Sequence, residues 1–142
     1  MSAASVSKKL RQKVARRAKQ RCGYCLVASS ITGVELQIEH LWPTSKGGLT
    51  VEDNLWLACA ECNQRKSDRT RVVDPLTKKE VPLFNPRQDG WQDHFRWSDD
   101  GTEIVGVTAV GRATIVALQL NRPARIAARR RWVSVGWHPP KD

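Results

Sequence analysis

Residues 22–25 read Cys22-Gly23-Tyr24-Cys25, and residues 59–62 read Cys59-Ala60-Glu61-Cys62. These are the only four cysteines in a chain of 142 residues. Each Cys-x-x-Cys makes a tight knuckle that turns two sulfurs toward one ion. Thiolates suit Zn²⁺, which is borderline soft and takes tetrahedral geometry without penalty. One such pair is compatible with redox chemistry, and two in one chain point to a four-thiolate zinc site. Reversible dithiol chemistry is the alternative. Structural disulfides are disfavoured because nothing in the sequence marks a secreted chain. A four-cysteine site has no open coordination position, so its role is structural. Thirty-three residues separate the pairs, more than a simple zinc ribbon needs. The insert must therefore be a folded element.

Inside the insert, Val34, Leu36, Ile38 and His40 alternate with Glu35, Gln37 and Glu39. This is the period of a half-buried strand over 34–40, with the first set facing inward. Pro43 excludes a central strand, and Lys46-Gly47-Gly48 marks a loop. Leu55-Trp56-Leu57-Ala58 reads as a second short strand entering the second knuckle. From Cys62 to about Arg69 the residues are polar and compatible with a helix. The predicted order is knuckle, strand, loop, strand, knuckle, helix.

Outward from this core, Val6, Leu10, Val14 and Ala18 form an apolar stripe on a basic helix capped by Ser5 or Ser7 and running to about Arg21. Beyond the core, Pro75, Pro82, Pro86 and Gly90 suggest an irregular linker over 70–93. Residues 95–97 and 102–107, joined by Ser98-Asp99-Asp100-Gly101, read as a hairpin. Residues 113–120 read as a helix. Asn121 is placed as the cap of a last helix, with Pro123 in its first turn, running to about Val135. On that helix Ile126, Arg130, Val133 and Trp137 approximate a packing side, leaving Arg125, Arg129 and Arg131 to reach phosphate. The six tryptophans, 42, 56, 91, 97, 132 and 137, are read as packing residues. His94 and His138 are read as structural or exposed.

Charge adds a functional clue. The net charge is +10, with 40% apolar and 27% charged residues, which is ordinary globular usage. Residues 1–21 carry eight Lys/Arg and no acid, and residues 122–142 carry six Lys/Arg and one acid. The middle has ten basic and thirteen acidic residues. Basic arms of this kind attract polyanions and give salt-dependent nucleic-acid binding, though a solvated helix surface has the same composition. No stretch approaches the ~20 apolar residues of a membrane helix, and no apolar h-region follows the basic N-terminus. The expected location is cytoplasmic, associated with the nucleoid.

Glu39 and His40 adjoin each other at a strand end, and Asn63 directly follows the last cysteine. If zinc ties the knuckles together, it fixes the second helix relative to the strand pair. Glu39 and Asn63 then offer two oxygens across a gap, a donor set for a hard cation such as Mg²⁺. His40, with an unperturbed pKa of ~6.5, can take a proton from water near neutral pH. A cation plus a neutral imidazole base suffices for phosphodiester hydrolysis.

Cys-Gly-Tyr-Cys, Ile-Glu-His-Leu-Trp-Pro, Lys-Gly-Gly, Asp-Asn-Leu and Cys-Ala-Glu-Cys-Asn-Gln-Arg-Lys, in this order over about residues 20–70, resemble the HNH endonucleases. The resemblance implies an α+β fold with a zinc-framed, treble-clef-like ββα-metal core over 22–70. To that core we add the basic helix over 1–21 and a C-terminal hairpin-plus-helices extension over 71–142, in a single domain. It implies that His40 is the general base, that Glu39 and Asn63 hold the catalytic cation, and that Asn54 orients the base by holding the loop. It implies a structural Zn²⁺ on Cys22, Cys25, Cys59 and Cys62, and DNA as substrate. Gln64, Arg65, Lys66 and Arg69, on the helix that faces the duplex in the family, are candidate phosphate contacts, or simply a solvated face. Glu39 stands where aspartate is commoner. Asn63 stands where other members have histidine, which leaves two protein oxygens and favours Mg²⁺ or Mn²⁺. A non-catalytic zinc module that binds nucleic acid would keep the cysteines and basic arms without needing Glu39, His40 and Asn63 together.

Overall fold

Ser7 starts the first helix: its hydroxyl accepts the Leu10 N–H at 3.1 Å, capping α1 (Lys8–Arg17). The alternative cap, Ser5, lies outside residues 6–141, which the computed structural model describes. Val14 and Ala18 are buried and Leu10 is half-buried, so the apolar stripe faces inward. The helix ends four residues before Arg21, because Lys19 and Gln20 take left-handed φ values of 57° and 59°.

The described chain forms two compact units. The first comprises the residues up to Thr70 together with Asn85–Gln88, and the second comprises Arg71–Phe84 and the residues from Asp89 onward. In the first unit, α1 leads into the Cys22 knuckle, where Cys22 N–H donates to the Val27 carbonyl. A one-turn helix, α2 (Ser29–Thr32), follows. The core is an antiparallel pair, β1 (Gln37–His40) and β2 (Leu55–Ala58), with Ile38 opposite Leu57 and Glu39 opposite Trp56. Next comes α3 (Ala60–Lys66), begun by Cys59 as N-cap. The predicted order of elements is present.

The expected inward set of β1 is corrected in two places. Val34 lies before the strand and is 60% exposed, whereas Glu39, expected to point outward, is 2% exposed. Ile38 is buried as well. Successive strand residues point to opposite faces, so both faces of β1 are covered at this end.

In the second unit, the region expected to be irregular contains a hairpin, β3 (Arg71–Val73) with β4 (Glu80–Pro82). Its turn is organised by buried Asp74, which accepts N–H bonds from Leu76 and Thr77 and a bidentate pair from Arg112 at 3.0 and 2.9 Å. That guanidinium holds the Asp74 carboxyl well below its usual range. A one-turn helix, α4 (Trp91–His94), precedes the expected second hairpin, β5 (Phe95–Trp97) with β6 (Ile104–Gly106). Then come α5 (Ala109–Leu118) and α6 (Pro123–Ser134). Trp91 stacks on both Phe95 and Trp97, as a packing role requires, but Trp42 and Trp137 are 51% and 58% exposed.

The last helix departs from expectation. Asn121 does not cap it. Its amide bridges Ile104 N and O, each at 2.8 Å, and Arg122 is the N-cap with Pro123 at the first position. Arg129, assigned to phosphate, is 1% exposed, while Arg130 and Trp137 face solvent. The Arg129 guanidinium donates to the Thr102 and Leu120 carbonyls and to Asn121 Oδ1, at 3.0, 2.7 and 3.0 Å, and lies over the Trp97 ring. It supplies donors to buried carbonyls that have left regular structure. Arg129→Lys keeps the charge but loses the fork. We expect it to lower the stability of this unit by about 2 kcal/mol, read as a lower denaturation midpoint.

Candidate active site

The four cysteines are buried, and their sulfurs all lie within 4.8 Å of one another. Cys25 Sγ and Cys59 Sγ are 3.8 Å apart. That separation is far beyond a disulfide bond of about 2.05 Å. It matches the edge of a tetrahedron with Zn–S arms of about 2.3 Å. Backbone N–H groups of Tyr24 and Cys62 point at Cys22 Sγ and Cys59 Sγ, both at 3.5 Å. Donors from its neighbours hold the Cys59 thiol well below its ordinary value, while burial pushes Cys22 up. Four thiolates cannot crowd together in a buried space without a cation, so the donor set fits a structural zinc ion.

The knuckles set the start of α3 against the β1–β2 pair. As a result Glu39, His40, Asn63 and Lys66 line one cleft of about 500 Å³, together with Pro43, Thr44, Ser45 and Asp68. His40 Nε2 lies 2.9 Å from Thr50 Oγ1. Desolvation, then the charge of Lys66, lowers its pKa, so the ring is neutral at neutral pH. The loop carrying Thr50 is held by Asn54. The Asn54 Oδ1 accepts the Trp42 N–H at 2.8 Å, and its Nδ2 donates to the Trp42 and Leu49 carbonyls at 3.0 and 2.9 Å. Asn63 Nδ2 donates to Gln37 Oε1 at 2.9 Å, which leaves Oδ1 as the acceptor end of that amide.

Glu39 is the surprise of the cleft. Burial pushes its carboxyl up to about 6, against the lowering effect of Lys66 and the Tyr24 hydroxyl. Lys66 Nζ lies 3.4 Å from Glu39 Oε1 and donates to the His40 carbonyl at 3.0 Å. Lys66 is 3% exposed. It is therefore corrected from the exposed helix face to the interior of the site. Gln64 and Arg69 are exposed, Arg65 is half-exposed, and the Arg69 guanidinium donates to the Arg65 carbonyl. None of these three lines the cleft among the described residues. Two further residues of the site, Tyr24, hidden inside the cysteine knuckle, and Thr50, carry no signal of that role in the sequence.

Gly48 shows how tightly the loop is closed. A Cβ there would fall 1.8 Å from the Trp42 carbonyl oxygen, whereas at Gly47 it would meet nothing within 4 Å. Gly48→Ala must displace the Trp42 backbone that Asn54 grips. We expect a loss of roughly 1–3 kcal/mol in thermal unfolding, from overpacking against rigid backbone.

This geometry defines a zinc-framed ββα module of an α+β protein. Residues 22–69 match the family model described as HNH endonuclease, over about a third of the chain. The match and the cysteine cluster together support a nuclease-family or zinc-binding nucleic-acid module in this segment. No curated protein and no solved structure matches the chain. Among the described residues, no helix is long and apolar enough to cross a membrane.

Proposed function

We propose that this protein is a metal-dependent HNH endonuclease that hydrolyses DNA phosphodiester bonds, with residues 22–70 as the nuclease core and 71–142 as an extension. The observation that carries the reading is the convergence of His40, Glu39 and Asn63 on one cleft beside the cysteine cluster. His40 takes the proton of the attacking water. Its contact with Thr50 and its lowered pKa favour a neutral ring with one nitrogen available as acceptor. Asn54 keeps the loop, and hence Thr50, in place.

Glu39 and Asn63 would hold the divalent cation, Mg²⁺ or Mn²⁺. The fit rests on donor chemistry: a carboxylate and an amide oxygen line the same cleft, and an ammonium already sits beside the carboxylate as a stand-in cation. When bound, a divalent cation supplies stabilisation of the negative charge that develops on a phosphate. The basic α1, with Gln64, Arg65 and Arg69, supplies sequence-independent affinity for DNA. The protein would act on DNA in the cytoplasm, associated with the nucleoid.

Supercoiled plasmid incubated with zinc-loaded protein tests this reading. We expect nicking with Mg²⁺ or Mn²⁺ and none with EDTA. Salt-sensitive DNA binding without cleavage in any metal would instead establish the second reading, a non-catalytic zinc-binding nucleic-acid module. The observation favouring that second reading is the buried Glu39–Lys66 pair, in which an ammonium already balances the charge of the carboxylate.

A further inference from the structure

We propose that Lys66 is a built-in competitor for the divalent cation: its ammonium holds the Glu39 carboxylate, and a metal ion engages Glu39 only as Lys66 withdraws. The inference rests on the reading of Glu39 as a metal-facing residue and adds a residue that sets how readily the site takes its ion. A lysine is almost never fully buried unless its charge is matched. Lys66 is 3% exposed, with its ammonium 3.4 Å from Glu39 Oε1 and 3.0 Å from the His40 carbonyl. It stands at the last position of the helix that Cys59 starts, four residues from Cys62. The cysteine cluster at the start of this helix therefore also fixes where Lys66 can reach.

The geometry gives the pair an inner and an outer side. Tyr24 is fully buried beside Glu39 and is not among the cleft-lining residues, whereas Lys66 lines the cleft. A cation arriving from solvent thus meets the carboxylate from the side Lys66 occupies. A carboxylate already neutralised by an ammonium offers little net attraction to a dication, and two cations cannot share it at close range without strong repulsion. Removing the ammonium leaves a buried, uncompensated carboxylate, for which a dication is the natural partner. A merely structural ion pair would behave differently, since its loss would cost stability and leave metal affinity unchanged.

The test measures metal binding and not cleavage. Zinc-loaded full-length wild type, Lys66→Met and Lys66→Met with Glu39→Gln are titrated with Mn²⁺, and free Mn²⁺ is read by electron paramagnetic resonance. We expect Lys66→Met to bind Mn²⁺ at least tenfold tighter than wild type, and the double variant to lose that gain. Equal or weaker binding in folded Lys66→Met, or a gain that survives Glu39→Gln, overturns the proposal. If Lys66→Met does not fold, the wild-type Lys66 ammonium ¹⁵N resonance is followed during a Mg²⁺ titration. The expected result is that it shifts or broadens as Mg²⁺ is added, and a resonance unmoved by Mg²⁺ overturns the proposal. Failure of the nuclease reading is separate: it shows as uncut plasmid and leaves the Mn²⁺ comparison standing.

Discussion

His40→Ala is expected to reduce metal-dependent plasmid nicking by about 100-fold or more, the usual contribution of a positioned general base. The substitution removes a half-buried ring at the end of β1 that hydrogen-bonds the Thr50 hydroxyl. The strand register there is carried by backbone pairing of His40 with Leu55. Zinc content and circular dichroism should therefore match wild type, so that lost activity reports on chemistry. The pH dependence gives a second readout. Desolvation and Lys66 lower the pKa of His40 below the ~6.5 of a free imidazole, so the ring is already the free base at pH 7. The acid limb of the cleavage rate should fall below that value, as protonation removes the acceptor nitrogen. Unchanged cleavage by pure, folded His40→Ala would remove His40 from the mechanism.

Cys59→Ser is expected to unfold the first unit at 25 °C. Cys59 is both a member of the buried sulfur cluster and the N-cap of α3. Structural Zn²⁺ contributes on the order of 10 kcal/mol of folding free energy in small domains, well above the stability left to a small unit without it. Loss of one thiolate opens the tetrahedron, and the remaining three sulfurs are left crowded and buried. Metal analysis should show zinc lost in step with far-ultraviolet circular dichroism. A Cys59→Ser protein with native spectrum and melting temperature would mean that no structural metal supports this fold. Thiol counting separates the redox alternative, which predicts a reversible disulfide and no zinc.

Much of the nuclease-like core was legible because its signals are local and categorical. Cysteine spacing named the knuckles, and Leu55–Ala58 was bounded by a loop and a knuckle. Glu39 was misplaced because alternation assumes one wet face, and only tertiary packing reveals that Tyr24 and Lys66 cover the second. Lys66 was misplaced for the same reason: a basic residue at a helix end looks solvated until the charge opposite it is known. The β3–β4 hairpin was missed because its strands are three residues long and β4 ends in Pro82, so breaker residues outweighed pattern. Asn121 resembles a cap because an amide that binds backbone two residues away and one that binds Ile104 look alike in sequence. Arg129 carries no local signal at all, since its partners include carbonyls from 102 and 120 and the side chain of Asn121.

The segment Asn85–Gln88 belongs to the first unit although fourteen residues of the second precede it. Arg87 donates to the Leu55 carbonyl and lies over the Trp56 ring, and Pro86 sits where a side chain on Gly23 would fall. The matched stretch, residues 22–69, is therefore not a portable cassette. A fragment cut at residue 70 would keep every residue of the candidate chemistry and lose the clasp that covers the back of β2. In this chain the matched stretch and the physical edge of the fold follow different boundaries, with the β3–β4 segment interrupting the first unit in sequence, before its last piece.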